Sequence, residues 1–237
     1  MKRRLFLGLL IMSPLVIASA SRVGDIAMPP DLAEARRARD VADIGSLQKL
    51  IRSAASTSND LQVALLEDWL CEAAYAQKDT KLVKQAAEAG VQAAQRAVAN
   101  HPDSARAHWL LGDLLGKQLP YVFLGGLRYG HRSVRELETA MQLDPFNANA
   151  FISRAIAYYM SPRLFGGDKH KAVALMQKAT KLNPAPDSPD TAHIWLALAY
   201  DALGKKTQAL REINLARKLN PDRQFAQQSY DRIMTHG

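Results

Sequence analysis

From residue 31 onward, apolar and small residues recur at spacings of three and four, and glycine and proline fall between these stretches. That period belongs to an α-helix with one buried face. It predicts helices over 31–39 and 44–55, a short capping pair that Pro29-Pro30 introduces, then over 61–77 and 82–100. The clearest pair comes last, at 191–203 and 207–219. Ala192, Leu196, Ala197 and Tyr200 form the inward stripe of its first helix, and Gly204 closes that helix. A helix over 225–234 is expected to cover the final apolar edge, as the end of a stacked array requires.

The punctuation repeats. Leu143-Asp144-Pro145, Leu182-Asn183-Pro184 and Leu219-Asn220-Pro221 are variants of one tripeptide, and Asn100-His101-Pro102 is a weaker fourth. Twelve residues before each proline stands a small residue: Gly90, Ser133, Ala172 and Ala209. Five before it is always alanine: Ala97, Ala140, Ala179 and Ala216. Eight before it stand Ala94, Leu137, Met176 and Ile213. The three positions share one helical face, where the small ones admit a neighbouring helix, and proline ends the helix.

His193, Leu196-Ala197, Tyr200, Ala209, Ile213, Ala216 and Pro221 resemble the tetratricopeptide repeat signature without a gap. Phe151, Ala155, Tyr158, Ala172, Met176, Ala179 and Pro184 follow it with an insertion of five residues. His108, Leu111-Gly112, Leu115, Ser133, Leu137, Ala140 and Pro145 follow it with an insertion of nine. Arg154 departs from the pattern, standing where leucine is usual. In the first unit, Trp69 and Tyr75 do not fix the register. The expected fold is all-α, a right-handed superhelical solenoid of antiparallel helix pairs. Its parts are a signal segment at 1–20, a capping region at 21–58, an array at 59–221 and a terminal cap at 222–237. The array divides into units of about 59–102, 103–145, 146–184 and 188–221.

Both insertions run from proline through an aromatic residue to paired glycines: Pro120 to Gly126 and Pro162 to Gly167. They are expected as elbows between the two helices of a unit, neighbours on one edge, with the aromatic folded onto the array. Two readings stay open, a packed turn or a ligand-facing lid. The Pro162 to Ala172 stretch resembles two tetratricopeptide subfamilies, the periplasmic T-component of TRAP-type solute transporters and the regulator of microtubule dynamics group. The first resemblance implies a solute or a binding-protein partner outside the cytoplasm.

Export is expected from the N-terminus. Lys2, Arg3 and Arg4 precede the apolar run Leu5 to Ile17, and Ala18-Ser19-Ala20 suits a signal peptidase. The run is too short for a permanent span, so no integral membrane segment is expected after cleavage. The expected location is periplasmic or secreted by general secretion, while Arg3-Arg4-Leu5-Phe6-Leu7 leaves the twin-arginine route open. Cleavage lowers the formal charge from +8 to +5 by removing three cations and no anion. Without a basic run that charge does not point to nucleic acid.

Little catalytic chemistry is visible. The histidines have no zinc spacing, so neither a metal nor a cofactor is expected. Cys71 reads as a core residue and Asp190 as a helix cap. Glu67-Asp68 and Glu136/Glu138 read as polar helix faces, and Arg36, Arg37 and Arg39 as a solvated cluster. The glycine pairs lack the setting of a phosphate loop. The concave face, on this register, carries Arg106, Trp109 and Asp113, then Asn149, Ile152, Ile156 and Tyr159, then Thr191, Ile194, Leu198 and Asp201. It lacks the lysine and asparagine set with which chaperone-tail-binding relatives grip a carboxylate. The candidate binding residues are Arg106, Trp109, Tyr121, Phe123, Arg154, Tyr158, Tyr159 and Phe165. The expected function is a non-catalytic scaffold for a protein or peptide. The alternative is an accessory solute-binding component for a small apolar or anionic ligand, and a homo-oligomer stays open.

Overall fold

The structure is a computed structural model that describes residues 32–122, 124–182 and 190–235. The expected signal segment, Pro29-Pro30, Phe123 and Pro184 lie outside the described residues. Within them, α1 (Leu32–Asp40) and α2 (Ile44–Ser56) precede four antiparallel pairs. These are α3 (Asp60–Ala76) with α4 (Thr80–Asn100) and α5 (Ala105–Gln118) with α6 (His131–Leu143). Then come α7 (Ala148–Met160) with α8 (Lys169–Ala179) and α9 (Thr191–Asp201) with α10 (Lys206–Leu219). A further helix, α11 (Gln224–Thr235), follows, and no strand occurs among the described residues.

Short polar residues start the helices. Asp43, Asn59, Asp79, Ser104, Asn147 and Asp168 each accept a hydrogen bond from an amide of the first turn. Each such cap is worth about 1 kcal/mol, because that donor has no partner within the helix. The repeated alanine marks the other end. Ala97, Ala140 and Ala216 accept from the amides of His101, Asp144 and Asn220 at 2.9, 3.0 and 3.0 Å, just before the chain turns at proline.

Packing follows the repeat positions. Ala172, Ala209, Ala140, Ala216, Met176 and Ile213 are fully buried. Gly112 lies so close to α6 that a Cβ there would stand 2.7 Å from Leu137 and 2.9 Å from the Ser133 carbonyl. Ser133 Oγ donates to the Gly112 carbonyl at 2.6 Å across the same contact. The first unit has its register set differently. A Cβ on Gly90 would stand 3.0 Å from Glu67 Cβ, so Glu67 takes the place that Gly112, Ala155 and Ala197 hold elsewhere. The outer helix keeps its small residue there, and only the inner position is enlarged.

Helices α3, α5, α7 and α9 form an inner row in which each touches the next, with α4, α6, α8 and α10 outside. The last helix packs on α9 and α10 as an end cap, and it also reaches α3. Gln228 Nε2 donates to the Ala76 carbonyl at 2.9 Å, Gln224 Nε2 to the Val41 carbonyl at 3.0 Å, and Asn220 Nδ2 to Asp40 at 2.9 Å. The array therefore curls until its two ends meet.

Candidate functional site

This closure changes the expected concave face. Trp109 is buried, and its indole N–H donates to Ser153 Oγ at 3.0 Å between α5 and α7. Ile152, Ile194 and Leu198 are buried as well, while Arg106, Asn149, Ile156 and Tyr159 are half-buried. The aromatics of this face pack on one another. Tyr159 meets Trp195 edge-on at 5.8 Å between ring centres, Trp195 meets Phe225 at 5.5 Å, and Phe225 meets Tyr75 at 6.1 Å. Phe225 belongs to α11, so the terminal helix occupies part of the surface a partner would use in an open array.

Where the ends meet, charge is buried. Arg223 donates to Glu72 at 2.5 Å and to Asp40 at 3.2 Å. Arg39 binds Asp40 at 2.7 Å and stacks 5.0 Å from the Trp69 ring centre. Lys117 reaches Asp68 at 2.5 Å, Asp113 at 2.9 Å and Glu72 at 3.5 Å. Burial pushes Asp68 well above the usual carboxylate range, whereas Lys117 and hydrogen bonds from Asp68 and Ser153 overcome burial at Asp113 and hold it low. Burial also opposes ionisation of Glu72, but Arg223, Lys117 and Arg39 outweigh it and bring the carboxyl down to about 2.

Three sequence expectations are corrected here. Glu67 and Asp68 are not on a polar face; both are buried in α3 because the longer first unit packs on two sides. Arg39 is 2% exposed, since the returning C-terminal segment covers it. Asp190 stands at the cap position of α9, but its carboxylate makes no cap bond and faces Arg223 Nε at 3.5 Å. Cys71 is a buried core residue, its thiol raised by burial.

On the outside, α6, α7 and α8 frame a groove of about 280 Å³ lined by Glu138, Met141, Arg154, Tyr158, Lys171, Ala174 and Leu175. Arg154, at the position where the repeat usually has leucine, keeps its side chain only 13% exposed at the groove. Its guanidinium stacks 3.9 Å from the Tyr158 ring centre and approaches Glu138 at 3.4 Å. Lys171 approaches the same ring at 5.6 Å. Two cations thus approach one aromatic ring beside apolar side chains, with a single carboxylate at the edge. The arrangement suits an anionic group attached to an apolar one. Of the candidate residues, Arg154 and Tyr158 come together here. Glu138, Met141, Lys171, Ala174 and Leu175 were missed, although their i, i+3 and i+4 spacing places each set on one helical face.

The elbows do not join this groove. Tyr121 is half-buried against the core of the first units, with its hydroxyl raised by burial. Phe165 is 69% exposed and does not fold onto the array as expected. The two elbows also differ in shape. The first runs through a 3-10 turn at Leu119–Tyr121 into a π-helical turn at Gly126–Gly130. The second has a 3-10 turn at Arg163–Phe165 and turns at Gly166, whose φ of 84° favours glycine. A Cβ on Gly167 would stand 1.8 Å from the Ser161 carbonyl, so the backbone doubles back there at glycine distance.

The tetratricopeptide repeat family matches residues 84–117 and 163–223. Among solved structures, TTC0263, a thermophilic TPR protein of Thermus thermophilus, aligns at 18% identity and a TM-score of 0.57, covering 80% of this chain and 89% of its own. MamA aligns at 18% identity, covering 67% of this chain and 92% of its own, but with a TM-score of 0.40 it adds nothing to the fold assignment. No curated protein sequence matches. With their alanine and small repeat positions buried at the contacts between paired helices, the matched stretches of the chain are tetratricopeptide repeats.

Proposed function

We propose that the protein is an exported, non-catalytic scaffold that engages a protein or peptide partner in the cell envelope through the outer groove around Arg154 and Tyr158. Tetratricopeptide repeats are protein-binding scaffolds in general, which supports the broad class. The observation that carries the choice of site is the contrast between faces. The inner row is largely filled by its own side chains and by α11, whereas Arg154 and Lys171 stand over Tyr158 beside an open apolar groove. A peptide with an acidic residue next to an aliphatic one fits this chemistry. Export rests on the N-terminal pattern, and an intact Met1 to Ala20 segment in the native protein would refute it.

Arg154→Met tests the site, because it removes the charge and keeps most of the apolar stem. Wild type and variant are purified from envelope extracts after mild crosslinking and compared. The partner recovered with wild type should be lost from the variant at an unchanged melting temperature. Equal recovery refutes the assignment. The groove volume of about 280 Å³ also admits a small anionic solute, which keeps the transport-accessory reading as the second one. Calorimetry with small apolar carboxylic acids separates it, since a peptide scaffold should show no heat that depends on Arg154.

A further inference from the structure

The inner helices run in one direction and the outer helices in the other, so all inner-to-outer turns emerge on one edge of the solenoid. Two consecutive turns on that edge carry large apolar side chains into solvent. Leu124 is 58% exposed and Leu127 67%, and in the next unit Leu164 is 88% and Phe165 69% exposed. No core cluster uses these four side chains. A soluble surface exposes such groups singly as a matter of course, but a succession of them with one sign of charge marks an interaction surface.

The charge there is positive. Arg128, Arg163, Lys169 and Lys205 are exposed and have no carboxylate partner among the described residues. The stretch 119–132 contains Arg128 and Arg132 and no acid. In the next turn Asp168 caps the start of α8, accepting from the amides of His170 and Lys171 at 2.9 and 3.1 Å. That acid is held at the helix start by its cap bonds, and Arg128, Arg163, Lys169 and Lys205 outnumber it on this edge.

We propose that this edge seats on a bilayer surface bearing anionic headgroups. Leu127, Leu164 and Phe165 enter the boundary between headgroups and acyl chains, while Arg128, Arg163 and Lys169 lie among the headgroups. Apolar side chains gain by leaving water, and nearby cations gain from the negative surface potential. The apolar groups stand at the tips of short turns, and a fluid headgroup layer closes around such tips without needing a complementary shape. The contact proposed is a peripheral one, made by turn side chains, and no helix among the described residues is long and apolar enough to cross a membrane. It is separate from the Arg154 groove and stands whether or not that groove binds a partner.

The test is co-sedimentation of the purified protein with phosphatidylcholine vesicles made with and without phosphatidylglycerol. The protein should sediment with the anionic vesicles only, and less so as salt rises. Leu164→Asp combined with Phe165→Asp should weaken binding roughly tenfold or more, and so should Arg163→Glu combined with Lys169→Glu. These positions are exposed, so melting temperatures should not change. Phe146→Asp is the control; Phe146 is 71% exposed but sits in an outer-to-inner turn on the opposite edge, and its variant should bind as wild type. The proposal is overturned by failure to sediment with anionic vesicles, or by equal binding of wild type and both double variants. Retention on an acidic polypeptide without vesicle binding assigns the edge to a protein partner instead and overturns it as well.

Discussion

Replacing Glu67 with glutamine should stabilise the protein at alkaline pH and hardly at all at acidic pH. Glu67 is 8% exposed and lies against Gly90, where other units have glycine or alanine. Burial raises its carboxyl from 4.5 to about 7. In the unfolded chain the proton leaves near 4.5, but in the folded protein it stays until about 7. Between these values the folded state holds more protons, so the contribution of Glu67 to stability is full below 4.5 and falls as pH rises through 7. At about 1.4 kcal/mol per pH unit, the loss comes to roughly 3 kcal/mol by pH 8. Glutamine has nearly the shape of the protonated acid and does not titrate. Urea denaturation of both proteins at about pH 4.5 and pH 8 reads the effect, and other titrating groups largely cancel in the difference. The variant should match wild type at the lower pH and exceed it by about 2–3 kcal/mol at the higher. An equal difference at both values would show that the Glu67 carboxyl is hydrated and that the first unit is packed otherwise.

Other expectations follow from the same packing. Ala216→Leu, at a site with no exposure, should destabilise by about 1–3 kcal/mol through overpacking in thermal melts. Arg223→Met takes from Glu72 and Asp40 one of the two cations they share, Arg39 being the other, and takes from buried Asp190 the cation it faces; it should cost about 3 kcal/mol in urea denaturation. Because Glu72 is held down to about 2 by Arg223 first and Lys117 next, its contribution is present above 4.5 and fades as pH falls toward 2. The Arg223 variant should therefore show a flatter stability profile across that acid range. Gly167→Ala should destabilise by more than about 1 kcal/mol, whereas Gly126→Ala, with open space around it, should stay within about 0.5 kcal/mol in the same melts.

The stacking was legible because it repeats in sequence. Proline, the alanine five residues before it and the small residue twelve before it mark each outer helix, and the alanines and small residues are buried at helix contacts. Helix starts carry a local signal too, in Asn59, Ser104 and Asn147, which cap as short polar residues do, but the only cap expected from sequence was Asp190, which makes no cap bond. The closure was not legible. Asn220 meets Asp40 across 180 residues and Arg223 meets Glu72 across 151, and no local pattern encodes such a pairing. For the same reason Glu67, Asp68 and Arg39 looked like surface residues. A charge looks solvated in sequence unless its distant cover is known. At the groove, Arg154 stood out because it breaks the repeat, and Tyr158 lies one turn on. Lys171 and Glu138 come from neighbouring helices and carry no repeat signal of their own. Phe165 fits the aromatic-glycine motif of an elbow, but its side chain points to water because Gly166 and Gly167 turn the backbone away.

The central claim is that a self-closed array engages its partner from outside. Site-specific photo-crosslinking in intact cells tests it most directly. A benzophenone-bearing residue is placed at Leu175 in the groove, and in a second strain at Ile156 on the inner face. The account predicts a discrete adduct from Leu175, abolished by Arg154→Met, and none from Ile156. An adduct from Ile156 with none from Leu175 would contradict it and return the binding surface to the inner face of an open solenoid.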